Sequence, residues 1–181
     1  MTSKNPWTRM SSRLVYENAW IRVREDQVVS PTGSPGIYGV VESRLAVGIV
    51  ALTSDNCIYI VGQYRYPTDV YSWEIPEGGG EDSESPLQAA QRELSEETGI
   101  TASSWEQLGG EVHLSNCFTA ERAFLFLARD LHQGDAKPDD TEQLAVRKIP
   151  IQEALQMVER GLVYDGLTII AILRVARLLG V

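Results

Sequence analysis

What this sequence has little of narrows the reading first. It holds 2 cysteines in 181 residues. These, Cys57 and Cys117, sit among apolar neighbours without metal-ligand spacing, so neither a disulfide framework nor a zinc site is indicated, and a reducing, cytoplasmic setting is expected. The 2 histidines, His113 and His132, stand alone and are assigned no role. Lys and Arg number 16 against 25 Asp and Glu, a formal net charge of −9. That balance argues against nucleic acid as a partner, because phosphate backbones are held by basic surfaces. Long hydrophobic runs are missing too: "LTIIAIL" is far short of the roughly 20 apolar residues of a membrane-spanning helix. The opening "MTSKNPWTRM" lacks the apolar centre of a signal peptide. No membrane partner is therefore expected, and no internal repeat or low-complexity segment is found.

The rest reads as an ordinary folding chain, with 43% hydrophobic residues and a length that suits one domain plus a small lobe. Residues 13–29 read as an extended pair turning at Glu17-Asn18, and "PTGSPG" (31–36) as a second turn. Strand-like runs follow at "IYGVVES", "AVGIVALT" and "CIYIVGQYRYP", the last two joined at Ser54-Asp55-Asn56. A helix is predicted at about 86–98, with Pro86 in its first turn, Leu87, Ala90 and Leu94 as its apolar stripe, and Gly99 as its stop. "EQLGGEVHL", "AFLFLARDL" and "VRKIP" read as strands, and "HQGDAKPDDTE" as an acidic loop. "IQEALQMVERG" and "DGLTIIAILRVARLLG" read as closing helices stopped by Gly161 and Gly180. The pattern is α+β: a mixed β-sheet core sandwiched by helices. Residues 1–45 read as an N-terminal β-lobe ahead of a core domain at 46–181.

One stretch works against itself. "GGGEDSESPLQAAQRELSEETGI", residues 78–100, carries six carboxylates, and like charges at helical spacing cost a helix about a few tenths of a kcal/mol per pair. Glu93 and Glu97 share a face and Glu96 flanks Glu93. At about 100° per residue their stripe borders the apolar stripe without entering it. Such an oxygen-rich face suits a hard divalent cation, which bridges carboxylates to substrate phosphates. Gly78, Gly79 and Gly80 permit positive φ, so that a backbone carbonyl can turn toward the metal, and Arg92 is placed to orient a neighbouring carboxylate. The plainer alternative is a solvated acidic helix face.

The spacing favours the metal. Gly78, Glu84, Arg92, Glu93, Leu94, Glu96, Glu97, Gly99 and Ile100 fill every fixed position of G-x5-E-x7-R-E-U-x-E-E-x-G-U, with U aliphatic, so the stretch resembles the Nudix hydrolase signature. The resemblance implies a Nudix fold and Mg²⁺-dependent hydrolysis (Mn²⁺ the alternative) of a nucleoside diphosphate linked to another moiety. By position, Glu93 and Glu97 would be the principal metal ligands, Glu96 would bind or support a further metal, and the Glu77 carbonyl would complete the set. Glu96 and Glu97 thereby count as catalytic, while Gly78, Glu84, Arg92 and Gly99 would support the loop–helix geometry. The implied chemistry is attack of an activated water on a pyrophosphate phosphorus while metals neutralise the phosphoryl charge. That also reconciles an acidic chain with an anionic substrate.

The likeness extends further. "VGQYRYPTDVYSWEIPEGG" resembles the strand and loop of ADP-ribose and nucleoside diphosphate sugar pyrophosphatases, which often read close to "QYR … ELPAG". The N-terminal lobe and the ending "EALQMVERGLVYDGLTIIAIL" resemble that branch as well, so the likeness spans roughly residues 13–178. It implies cleavage of a nucleoside diphosphate sugar (ADP-ribose, with GDP-mannose and ADP-glucose as candidates) to a nucleoside monophosphate and a sugar phosphate. Arg65 and Glu74 would touch the substrate or its phosphates. The likeness also implies a homodimer exchanging its N-terminal lobes, with Trp20 and Tyr16 as candidates to stack on the base. One motif departs. Where ADP-ribose pyrophosphatases often carry S-P-G-F-S-x-E, this chain has Ser115-Asn116-Cys117-Phe118-Thr119-Ala120-Glu121. Phe118 and Glu121 fit and Asn116 and Cys117 do not, so the broader substrate class is retained, with Glu121 expected on a metal, on a sugar hydroxyl or in a structural role. The general base is expected from the acidic loop, among Asp139, Asp140 and Glu142; Glu142 is chosen because it follows the flexible part and precedes the strand. Two rival classes are a non-catalytic Nudix-like nucleotide-binding regulator, which would be expected to lose the box carboxylates present here, and a nucleoside triphosphate-sanitising hydrolase, usually shorter and without the lobe.

Overall fold

The computed structural model describes residues 4–136 and 144–181, in two compact units. The smaller joins the residues up to Arg44 to His113–Arg122. Its strands β1 (Thr8–Glu17), β2 (Ile21–Val29) and β3 (Pro35–Ser43) form an antiparallel sheet in that order. The first hairpin closes on Asn18, whose Oδ1 accepts from the Trp20 and Ile21 N–H groups at 2.8 and 2.9 Å, the local bonding that makes Asn a turn residue. β1 is exposed along its whole length. The segment around Phe118 is tied to β3 by Val41 N–H donating to the Phe118 carbonyl (2.9 Å) and by the Tyr38 hydroxyl donating to the Cys117 carbonyl (2.7 Å).

The larger unit, Leu45–Val112 with Ala123–Val181, holds the remaining elements. These are β4 (Ala46–Ala51), β5 (Cys57–Arg65), β6 (Val70–Glu74), β7 (Glu77–Gly79), α1 (Pro86–Thr98), β8 (Ile100–Gln107), β9 (Ala123–Gln133), β10 (Ala145–Pro150), α2 (Ile151–Glu159) and α3 (Gly166–Leu179). One sheet runs β7-β4-β9-β8, with β4 and β9 parallel and the outer pairs antiparallel; the other runs β10-β5-β6. β4 is apolar throughout because both of its faces are covered. Val47 and Ile49 pack with Ala89, Ala90 and Leu94 of α1, while Val50 joins Ala154 of α2 and Ile172 and Val175 of α3. The fold is therefore α+β, with a mixed sheet between helices. Among the described residues no helix is long and apolar enough to cross a membrane.

Three local expectations need correction. Of "EQLGGEVHL" only Glu106 and Gln107 are strand, the end of β8; Gly109 (φ 76°) then turns the chain, leaving only a bridge between Val112 and Ala123. "VYSWE" and "EGG", read as loop, are β6 and β7; both are short and flank Pro76, so neither shows a periodic pattern. Leu87 is exposed, and Ala89 takes the buried place beside Ala90 and Leu94.

Candidate active site

α1 starts where its own side chains cap it. The Ser85 hydroxyl accepts from Gln88 N–H, and the Gln88 side chain accepts from Ser85 N–H. This reciprocal cap was legible as Ser-x-x-Gln before an apolar run. The helix ends at Gly99, in the left-handed region with φ 71°.

β7 then lies along α1, and its three residues each meet one residue of the signature. Glu77 N–H donates to Glu97 Oε2 at 3.1 Å. Gly78 faces Glu93 so closely that a Cβ on it would stand 2.2–2.4 Å from the Glu93 carboxyl atoms. The Gly79 carbonyl accepts from Arg92 Nη2 at 2.8 Å. None of Gly78, Gly79 and Gly80 has positive φ. The glycine at 78 is thus required by close approach, not by the backbone freedom expected from sequence.

Arg92 organises the carboxylates. Its Nε and Nη2 clasp Glu84 at 2.9 and 3.0 Å, and its Nη1 donates to Glu93 and to Glu96, each at 2.8 Å. With Gly79 this commits all five guanidinium N–H groups, a planar fork that lysine cannot reproduce. The repulsion between Glu93 and Glu96 is met by this one cation. Glu84 is held well below the ordinary carboxylate range, at about 2, first by the Arg92 hydrogen bonds and then by the Glu81 N–H. A folded-state pKa below the unfolded one stabilises above the unfolded value and loses that contribution as pH falls. Part of the protein's stability should therefore disappear between about pH 4.5 and pH 2. Chemical denaturation of wild type and Glu84→Gln across that window checks this: their stability difference should shrink on acidification, and a pH-independent difference would refute it. Asp55, also held at about 2 by Thr53 and Lys148, titrates in both proteins and cancels.

Glu97 departs from the expected border position. It is 2% exposed, because β7 closes over it. A second carboxylate cluster adjoins it. Arg65 donates to Glu74 from Nε (3.1 and 3.0 Å) and Nη2 (2.6 Å), and to Glu77 Oε1 from Nη2 (2.6 Å). Burial pushes the Glu77 carboxyl well up, and the charges of Asp165 and Glu74 add to this against the pull of Arg65. Glu77 Oε2 is buried without a hydrogen-bond partner. The exit from β6 is pinned by α3: Asp165 caps that helix by accepting from Thr168 N–H (2.6 Å), and the buried Thr168 hydroxyl accepts from Ile75 N–H at 3.0 Å. Sequence reading passed over Asp165, Thr168 and the Glu77 side chain. The Asp-x-x-Thr cap signal was available for the first two.

Among the described residues, no three His, Cys, Asp or Glu side chains are gathered in a metal-holding arrangement; Glu93 and Glu96 are turned to Arg92, and Glu97 to the Glu77 peptide. The donor chemistry nevertheless fits a hard divalent cation: Glu84, Glu93 and Glu96 converge on Arg92, and the nearby Glu77 carboxylate has one buried oxygen unsatisfied. Of the other expected site residues, Trp20 (74% exposed) and Glu121 belong to the smaller unit, and Asp139, Asp140 and Glu142 lie outside the described residues.

Comparison with known proteins agrees with this architecture. Residues 7–41 match the nucleoside diphosphate sugar hydrolase N-terminal domain. The chain is 32% identical over 160 residues to the methanol dehydrogenase activator of Bacillus methanolicus, covering 87% of this chain and 86% of that protein. It is equally identical, with the same coverage, to the ADP-ribose pyrophosphatase of Bacillus subtilis (strain 168). A crystal structure described as ADP compounds hydrolase has the same fold, with a TM-score of 0.86 at 21% identity over 99% of this chain and 97% of that one. Residues 42–165, which carry α1 and every contact it makes with β7, match the NUDIX domain, and the chain belongs to that family.

Proposed function

We propose that the protein hydrolyses nucleoside diphosphate sugars, with ADP-ribose the first candidate. Water forms a new P–O bond while the bridging P–O bond breaks, giving a nucleoside monophosphate and a sugar phosphate. The observation that carries this is the Arg92 hub, which fixes Glu84, Glu93 and Glu96 beside the Glu97–Glu77 contact. The N-terminal domain match and the relative named ADP-ribose pyrophosphatase support the substrate class.

A divalent cation, Mg²⁺ in this proposal with Mn²⁺ the alternative, would be held by Glu93, Glu96, Glu97 and the Glu77 carbonyl; when bound it supplies positive charge to the phosphoryl oxygens and acidifies water. Arg65, with its side chain 37% exposed above buried Glu74, is the proposed phosphate contact, and Glu74 holds it there. Trp20 and Glu121 are further proposed contacts on chemistry alone, an exposed indole for stacking and a carboxylate for a sugar hydroxyl. Glu142 is the proposed general base, by resemblance. A homodimer is proposed by resemblance, and β1, exposed along its whole length with Met10 and Leu14 uncovered, leaves an edge for a partner. A cytoplasmic setting is proposed from the two free cysteines.

The test is a panel of ADP-ribose, GDP-mannose, ADP-glucose and dGTP with Mg²⁺, products separated by chromatography, on a preparation weighed by light scattering. Cleavage of the sugars to monophosphates by a species of two chains is the expected result. Turnover of dGTP alone would overturn the substrate class, and a monomer at micromolar concentration would overturn the dimer.

A further inference from the structure

We propose that the Glu77 side chain restrains Arg65, so that Glu77 sets how tightly this chain grips the pyrophosphate of its substrate. The inference rests on the reading of the protein as a hydrolase of a pyrophosphate-containing substrate, and assigns that site a specificity-determining residue.

The Arg65 guanidinium offers two donor edges to a planar partner. The Nε/Nη2 edge is occupied by Glu74, which is 3% exposed and accepts three contacts. Nη2 also donates to Glu77 Oε1, and that side chain is 13% exposed. Both carboxyl groups are more buried than the arginine, whose side chain is 37% exposed. The Nη1/Nη2 edge is the one Glu74 leaves open, so it is the edge a phosphate would take. The strong grip of arginine on phosphate is the paired one, with two parallel N–H groups on two oxygens. To achieve it here, the phosphate must take the Nη2 hydrogen that Glu77 holds.

The two carboxylates therefore do different work. Glu74 aims the arginine and leaves the outer edge alone; Glu77 occupies half of that edge. Removing Glu77 would open the edge without loosening the arginine, since the Glu74 clasp remains. The carboxyl group comes from the loop "EIPEGG", at the position where the pattern it resembles carries alanine. The Glu77 peptide N–H and carbonyl are unaffected by changing its side chain, so the Glu97 contact survives.

Titration calorimetry with inorganic pyrophosphate in EDTA tests this without turnover. Glu77→Ala should bind pyrophosphate about tenfold more tightly than wild type, the size of one charge-assisted hydrogen bond released to the ligand. Glu77→Gln, whose amide oxygen still accepts from Nη2, should stay within about threefold of wild type on the same reasoning. Glu77→Met, which keeps the stem without an acceptor, carries the same expectation as alanine should alanine fold poorly. In an Arg65→Ala background the gain should vanish, the coupling expected of residues in contact. Unchanged, weaker or undetectable binding by Glu77→Ala and Glu77→Met overturns the proposal. So does a gain that persists without Arg65, or one that Glu77→Gln shares in full, since either would mean general relief of negative charge. Because the readout is binding, the expected titration alongside an inactive panel would sink only the proposed activity.

Discussion

Glu97→Gln is expected to lower kcat on ADP-ribose by roughly 10²- to 10³-fold, the loss typical when one preorganised electrostatic group is removed from an active site, while leaving the melting temperature unchanged or raised. Both halves follow from where Glu97 sits. It is buried, and its Oε2 accepts from the Glu77 peptide N–H. Glutamine has the same shape and keeps an oxygen for that N–H, so the packing of β7 on α1 is retained. What disappears is a negative charge that repels the neighbouring Glu77 carboxyl. A buried charge kept against its own repulsion is destabilising in the folded state, and trading it for an amide relaxes that cost at the expense of function. The measurement is kcat with a melting curve on the same sample. Near-wild-type turnover would remove Glu97 from the chemistry. A fall in melting temperature of more than about 5 °C, roughly 2 kcal/mol for a chain this size, would mean that Glu97 acts by holding the fold.

That buried charge marks where sequence reading stopped. α1 was legible because its signals are local: Pro86 at the start, Gly99 at the end and a 3.6-residue apolar spacing between. The nine signature positions were legible because their order along the chain is itself the pattern. The burial of Glu97 was not, because a helix wheel ranks faces by their own residues and knows nothing of a strand laid across them. β7 is three residues long and contains two glycines, so no periodicity announces it. Its effect on Glu97 is tertiary, from residues about 20 positions away. The Arg65 clasp is hidden for the same reason, since its partners stand 9 and 12 residues on and meet it only after β5 and β6 pair. Leu87 shows the converse, an apolar residue in helical register that nothing covers.

Arg92 and Arg65 also separate two uses of one side chain. Arg92 has every donor engaged by the protein, so it is a frame for carboxylates and has nothing left to offer a substrate. Arg65 is aimed by Glu74 from one edge and stands partly exposed, the arrangement of a group that meets a ligand. A sequence motif records both as arginines at fixed spacing, and only their donor counts tell them apart.

Gly78→Ala is the second change with a large expected effect: metal affinity should fall about 10- to 100-fold, as when a partner that orients a ligating carboxylate is lost, with catalysis falling alongside. Position 78 has no positive φ, so alanine fits the backbone without strain. Its methyl group, however, would lie 2.2–2.4 Å from the Glu93 carboxyl atoms. Something must move, and the cheapest movement is the far end of the flexible Glu93 side chain, not the strand or the helix. The fold should therefore survive with little change in melting temperature. Glu93 would swing away from Arg92 Nη1, the contact that now fixes it at 2.8 Å, and lose its set position beside β7. Mn²⁺ titration followed by electron paramagnetic resonance, with a melting curve in parallel, separates the outcomes. Weakened Mn²⁺ binding in a stably folded variant is the expected pair. Undiminished binding would mean that Glu93 is not a ligand, and a collapsed melting temperature would mean that β7 moved instead of the carboxylate.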